Sequence, residues 1–399
     1  VSEKTADLGP GASGQGRAAP PIDLLYTETE TELRSAVRAL LDDKAAWRDV
    51  LARTETGQTY DDKLWHTLAA EVGCAGLLVP EELGGAGASF REAAVVAEEL
   101  GRAVAPVPFL GSAVIATTAL WAAGDRTLLP ELASGAITAA LAVPFTAGPR
   151  QRPVPTVRLD APQPGDERDE FRLTGTVTGI ADALPADLLL VPADSVPYAL
   201  YAVRAGAPGV GKRPQVSLDM TRQLCEISLD QAPARQIAVG QAAEDAMAAA
   251  LLAGAGMLAC EQLGLAERCL DMTVAYVKER HQFARPVGGF QAIKHRLADL
   301  WVSVTQARAA ARYAAGRLAT GFGPETTMAV ALAKACCSDT ALKAAQETIQ
   351  LHGGIGFTWE HPAHLYLKRA KADSLALGTA DAHRASLDVL ANLPGPEAG

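Results

Sequence analysis

Two glycine-punctuated turns hold the residues best equipped for chemistry. In YVKERHQFARPVGGFQAIKHRLADLW, Arg280, Gln282, Arg285 and the pair Gly288-Gly289 separate two helical patterns. A guanidinium fork beside a glycine turn can grip a diphosphate bidentately, because the fork is planar and glycine lets backbone approach closely. A helix–turn–helix with solvated arginines fits the same residues. In QLHGGIGF, Gln350 ends a helix and Gly353-Gly354 break it. Their N–H groups can face a phosphate or ribose. A plain glycine helix stop fits the same letters. His281, His295, His352, His361, His364 and His383 fall in or near these turns, and none shows metal-ligand spacing. No metal is expected.

These turns need long elements to hold them. Residues 24–136 carry apolar residues three and four apart, as in ETELRSAVRALLDD and REAAVVAEELGRAV, and read as a helical domain. The loop VPEELGGAGASF interrupts them. Residues 137–239 change texture to short apolar runs between turn residues, such as ADLLLVPA and YALYAVR. That predicts a central β-barrel or sandwich domain. Residues 240–399 return to the helical period at 242–280, 289–320, 325–351 and 379–393, predicting a four-helix bundle. The fold class is α+β, multidomain, behind a flexible tail over 1–23. Alanine-rich bundle helices with little polar surface predict an oligomer, although a buried monomeric bundle fits as well.

Composition removes other roles. A net charge of -10 and 5% aromatic residues leave little to attract or stack nucleic acid. The six cysteines lack ligand spacing and read as small core residues in a reducing compartment. AMAAALLAGAGMLAC is too short to span a bilayer and reads as a buried helix. The first residues lack the apolar core of a signal peptide. A soluble cytoplasmic protein without membrane insertion is the expectation.

Taken together, YVKERHQFARPVGGFQAIKHRLADLW, QLHGGIGFTWEHPAHLYLKRAKA and PEELGGAGASFREAAVVAEELGRA resemble the acyl-CoA dehydrogenase family in order and spacing. The resemblance implies FAD held at a subunit interface and an acyl-CoA or related thioester as substrate. It implies a glutamate base, with hydride passing to the flavin. The FAD contacts carried over are Arg280, Gln282, Phe283, Gln291, Gln350, Gly353, Gly354 and Thr379, with Ala284 where the family usually has glycine. Lys368, Arg369 and Lys371 would face CoA phosphates or, as the preferred reading, lie on a solvated helix face.

Other positions depart from the family. The usual base position falls on Leu377, and a second family position on Gly254. Pro144-Phe145 stand where a flavin-side Thr-Glu is usual, and Gly179 and Ala181 stand in place of a Trp and Thr that cover the flavin. Asp373, Asp381 and Glu261 are candidate substitute acids, although helix-surface or capping acids is the plainer reading. The losses concern the chain's own flavin and substrate; the retained residues are those lent to a neighbour. Three readings follow. One is a FAD-linked acyl-CoA dehydrogenase of lipid or steroid metabolism acting in an oligomer. The second is a silent subunit completing a paralogous partner's FAD site. The third is a repurposed scaffold with non-redox chemistry.

Overall fold

The computed structural model describes residues 21–58, 60–150, 153–160 and 171–392. The tail expected over 1–23 lies outside these residues except for its last three. Helix α1, Glu28–Lys44, opens on a capping box: Thr27 accepts from the Glu30 N–H, and the Glu30 carboxylate accepts from the Thr27 N–H. Short helices α2, Trp47–Thr54, and α3, Asp62–His66, follow. Ser89 and Glu92 form the same box at the start of α4, Phe90–Ala103. The buried stretch Phe109–Ala116 is wound as a π-helix and leads into α5, Thr117–Ala122, and then α6, Leu129–Ala133.

The central strands are β1 Ala139–Leu141, β2 Val157–Leu159, β3 Phe171–Ala181, β4 Leu188–Ala193, β5 Ala199–Arg204, β6 Val210–Gln215 and β7 Leu224–Val239. They form one mixed sheet in the order β1-β4-β5-β7-β3-β2, with β6 also on β7, and only β1 and β4 run parallel. Long β7 pairs with β5 near its end and with β3 and β6 before that, so one strand joins both halves of the sheet. The sheet carries its own apolar core, including Leu173, Ile180, Leu189, Tyr201 and Ile227.

Three long helices follow: α7 Gln241–Glu279, α8 Gln291–Ala319 and α9 Pro324–His352. A two-residue hairpin of β8, His281–Gln282, and β9, Arg285–Pro286, joins the first two. The bundle closes with two shorter helices, α10 Ala363–Leu375 and α11 Ala380–Leu390. Four helices were expected, and α10 is the addition. Its inward face carries Arg369 and Asp373 among apolar residues, which breaks the apolar period that marks a helix in sequence.

Helix α7 also corrects the length argument made from its apolar run. It is long and apolar enough to cross a bilayer, but 94% of its most apolar window is buried inside the protein. It is the spine of the core.

The N-terminal helices and the bundle share one core, because α4 lies against α7 through two glycines. A Cβ on Gly101 would overlap the Glu261 carbonyl, and one on Gly264 the Glu98 carbonyl. Backbone, not a side-chain tip, stands in the way. Gly264→Ala should therefore lower the unfolding free energy by about 1–3 kcal/mol, the usual range for overpacking a rigid core. Urea melts of the two proteins measure it, and an unchanged midpoint would mean the helices separate freely.

Candidate functional site

The two alignments for the family base converge on one point. Leu377 lies in the turn between α10 and α11 with a left-handed φ of 52° and is buried. A Cβ built on Gly254 of α7 would stand 3.2 Å from Leu377 Cδ1 and 2.8 Å from Ile115 Cγ1. Apolar methyl groups fill the place where a carboxylate from either element would project. The turn is tied to the β-domain. The Leu377 N–H donates to the Phe145 carbonyl at 2.7 Å, and the Phe145 N–H donates to the Gly179 carbonyl at 2.8 Å. On the other side His383 Nε2 donates to the Leu377 carbonyl at 2.9 Å. Burial and the loss of hydration push the His383 ring down to about 4, so it is neutral at pH 7.

The space left at this point is about 20 Å³, walled by Gly111, Ile115, Phe145, Asp182, Leu251 and Leu377. That is room for one water. Pro144 and Ala181 also reach its wall.

Of the three substitute acids, only Asp381 is on the surface, paired with Arg384 at 2.9 Å. Glu261 and Asp373 are buried, contrary to the surface reading, and so is Arg369. They belong to an ion cluster between the domains. Arg222, in the loop before β7, donates to Asp373 Oδ1 at 2.8 Å and to Glu261 Oε2 at 2.6 Å. Arg369 lies 3.3 Å from Asp219 and 3.5 Å from Glu261, and donates to the Ala105 carbonyl at 3.1 Å. Lys334 donates to the Asp373 carbonyl and to Ser338, both at 2.9 Å.

Each acid's charge state follows from its neighbours. Burial opposes the Glu261 charge, yet Arg222 and Arg369 hold its carboxyl below the usual range. Burial and the nearby Glu261 charge push Asp373 up to about 7. Burial pushes Lys334 down to about 8. Neither Glu261 nor Asp373 lines the small cavity.

The acid that does line it is Asp182, which sequence reasoning missed. Its φ is 58°, and its Oδ2 accepts the Gly111 N–H at 2.9 Å. Burial raises its pKa while Arg222 opposes the rise. The only local signal was an Asp directly after a glycine-containing strand end, a type that tolerates left-handed backbone.

The two motif turns share the other end of the bundle. Tyr276 stacks on His352 with ring centroids 4.3 Å apart, and Arg296 on α8 grips Glu347 on α9 with two 2.8 Å bonds. Arg280, Gln282, Phe283, Gln291, Gln350, Gly353 and Gly354 are all exposed there. Phe283 and Ala284 form the hairpin turn with φ of 52° and 60°. Two left-handed residues in a two-residue loop make a type I′ turn, which explains why glycine suits position 284. Nothing lies within 4 Å of a Cβ built on Gly353 or Gly354. Among the described residues no carboxylate pairs with Arg280. Thr379 is not part of this end. It lies beside Leu377 and caps α11 by accepting the Ala382 N–H at 3.2 Å. Lys368 sits over the Trp359 ring at 4.5 Å, and Lys371 is exposed.

The N-terminal domain of acyl-CoA dehydrogenases matches residues 27–136, and the C-terminal domain of the same enzymes matches residues 243–388. The chain belongs to the acyl-CoA dehydrogenase family. The acyl-CoA dehydrogenase IpdE2 of Mycolicibacterium smegmatis is 37% identical over 88% of this chain and 95% of its own length. Among solved structures, the Tcur3481-Tcur3483 steroid ACAD G363A variant is 31% identical with a TM-score of 0.79, covering 92% of this chain and 98% of that one. The ChsE4-ChsE5 complex from Mycobacterium tuberculosis is 28% identical with a TM-score of 0.82, covering 94% of this chain and 100% of that one.

The ion cluster gives the fold of this family member a pH signature. Folded Asp373 keeps its proton up to about 7, whereas its ordinary value is 3.8. Its contribution is thus full at low pH and is lost as pH rises through that window. Asp373→Asn mimics the protonated acid. The variant should gain on the wild type between about pH 4 and pH 7, by at most about 4 kcal/mol at one pKa unit per 1.36 kcal/mol. Glu261 works in the opposite sense but is common to both proteins. Denaturant melts at pH 5 and pH 7.5 test this, and a stability difference that does not change with pH would refute it.

Proposed function

We propose that this chain is one subunit of a hetero-oligomeric, FAD-dependent acyl-CoA dehydrogenase of lipid or steroid metabolism, working in the cytoplasm. In this assembly its own site is closed, and it completes the FAD site of a paralogous partner. One observation carries the reading: about 20 Å³ remains where both base positions converge. Small-molecule and cofactor pockets run to roughly 300–1,000 Å³. Neither an acyl thioester nor a flavin ring fits there. The residues on the wall offer little chemistry either. Leu377 accepts no proton, and its N–H is already spent on Phe145.

The lending end supports the other half of the reading. Arg280 is exposed and free of carboxylate partners among the described residues, and Gly353-Gly354 present open backbone at the same end of the bundle. A diphosphate fits this donor set. FAD, when bound, would accept hydride from the acyl chain in the partner's site. Arg280, Gln282, Gln350 and the glycine turn of this chain would orient it, with Phe283 and Gln291 beside them.

Exposed Phe283, Trp301, Val302 and Phe357 are apolar surface for a partner to cover. The paired names of the Tcur3481-Tcur3483 and ChsE4-ChsE5 structures support a two-component assembly. The rival reading, an active homo-oligomer, has one wall acid in its favour, Asp182, but needs the turn at Leu377 to leave.

Two measurements test the reading. Arg280→Lys keeps the charge and removes the fork. Flavin occupancy of the co-expressed assembly should fall about tenfold, the worth of one charge-assisted bond. Unchanged occupancy would remove the clamp. Leu377→Glu restores only the acid. General-base catalysis is worth about 10²–10⁴-fold only with a hydride acceptor in line. Neither the wild-type homomer nor this variant should therefore reduce an acceptor dye with short, long or steroid acyl-CoAs. Robust turnover by the wild-type homomer would sink the closed-site reading.

A further inference from the structure

The two motif turns are joined by rings that lie behind the residues suited to grip a diphosphate. Tyr276 lies one turn before Arg280, whose N–H donates to the Tyr276 carbonyl at 2.9 Å. The Arg280 carbonyl accepts the Val287 N–H at 2.7 Å, so its backbone is fixed on both sides. His352 is the last residue of α9 and directly precedes Gly353-Gly354. Its ring stacks on the Tyr276 ring with the planes 28° apart, and the tilted ring of His361 follows at 4.2 Å. The Tyr276–His352 contact thus connects the arginine turn to the glycine turn.

This column does more than hold helices together. Helices α7 and α9 are already locked one turn further in, where the buried Thr273 and Thr348 hydroxyls lie 3.0 Å apart. The bonds from Arg296 to Glu347 lock α8 to α9. The rings therefore govern only the last turn of α7 and α9. His352 is buried, and its Nδ1–H donates to the Thr348 carbonyl at 2.6 Å, which fixes the rotation of the ring. The Tyr276 hydroxyl reaches the His352 carbonyl at 3.4 Å. His361 Nδ1 accepts the Ala363 N–H at 3.2 Å, so the third ring is fixed from the start of α10. Burial holds both imidazoles below their ordinary range, His361 at about 4, so the column is uncharged at pH 7. Beyond it Gly353 turns with a φ of 63°. A Cβ on Gly356 would stand 2.7 Å from the Ile349 carbonyl and 3.3 Å from His352 Cβ. The glycine turn folds back onto His352, so a displaced His352 moves the turn with it.

We propose that Tyr276 and His352 are positioning residues for the FAD diphosphate. Their stack sets the reach between the Arg280 guanidinium and the Gly353-Gly354 N–H groups, with His361 backing it. The proposal rests on the reading of this end as the one that holds a partner's FAD. The physical ground is preorganisation. Two anchors held at a fixed spacing engage both phosphates without first being ordered, and anchors on loose turns lose that advantage.

The test is calorimetric titration of the full chain with ADP, which carries the adenosine and diphosphate of FAD, and with AMP. The wild type should bind ADP about tenfold more tightly than AMP, because the second phosphate reaches the second anchor. His352→Leu keeps apolar bulk and removes the ring. It should weaken ADP several-fold, up to about tenfold, and bring the ratio of the two affinities towards one while AMP binds much as before. Tyr276→Leu should do the same from the other helix. His352→Phe restores the ring and should restore the ratio. Melting temperatures are measured for each variant. A lower melting temperature with ADP and AMP weakened alike would mean a purely structural role and overturn the proposal. Weak ADP binding by both His352→Leu and His352→Phe would assign the effect to the Thr348 bond and overturn it too. If Arg280→Lys weakens ADP and the ring variants do not, the stack is idle and the lending end stands. If the wild type shows no saturable ADP binding at millimolar concentration, or Arg280→Lys binds like the wild type, the lending end itself fails and the proposal with it.

Discussion

Two guanidiniums buried among three carboxylates set the terms for the rest of this fold. Arg222 comes from the loop before β7, Glu261 from α7, Arg369 and Asp373 from α10, and Asp219 from the Arg222 loop. The Arg369 bond to the Ala105 carbonyl brings in the N-terminal helices. One cluster therefore fixes all three layers. Removing either guanidinium would leave buried carboxylates without a partner or water. The Arg369 ion pairs at 3.3 and 3.5 Å are not aligned as hydrogen bonds, and Asp373 Oδ2 has no partner. The excess carboxylate is eased by the raised affinity of Asp373 for its proton and by the buried Lys334 ammonium beside it.

The packing at Leu377 follows from this anchoring. With α10 held by its charges, the turn after it must return toward α11 in a short span. Leu377 turns in the left-handed region, and its N–H reaches Phe145 in the β-domain. Arg222 also lies 5.4 Å over the Phe145 ring. The segment that would border a flavin is thus pulled onto the segment that would carry a base. The tight packing around Leu377 and the exposure of the opposite bundle end are separate features. The first depends on α10, the second on the hairpin between α7 and α8 and the glycine stop after α9.

Much of this was legible in the letters. The order of helices, strands and helices follows from hydrophobic period, and the Arg280 and Gly353 turns from glycine punctuation and family spacing. Leu377 and Gly254 could be aligned with the two base positions one at a time. α10 was not legible as a bundle helix of its own, although its charged residues were placed on a helix face, because Arg369 and Asp373 interrupt its apolar face. The same residues read as surface, since charged side chains are almost always solvated unless paired, and their partners lie over a hundred positions away: Arg222 for Asp373, Asp219 and Glu261 for Arg369.

The sequence by itself determined most element types, and it is enough to put Leu377 and Gly254, neither an acid, at the positions that the family resemblance assigns to a base. These are local facts of residue type and spacing. Only the tertiary structure decided that Leu377 and Gly254 occupy one place, that Ile115 fills it with them, and that Asp182 is the acid on its wall. It also decided that Thr379 caps a helix. These depend on which distant segments touch. Burial and the pairing of charges are properties of that contact, and no window of sequence contains it.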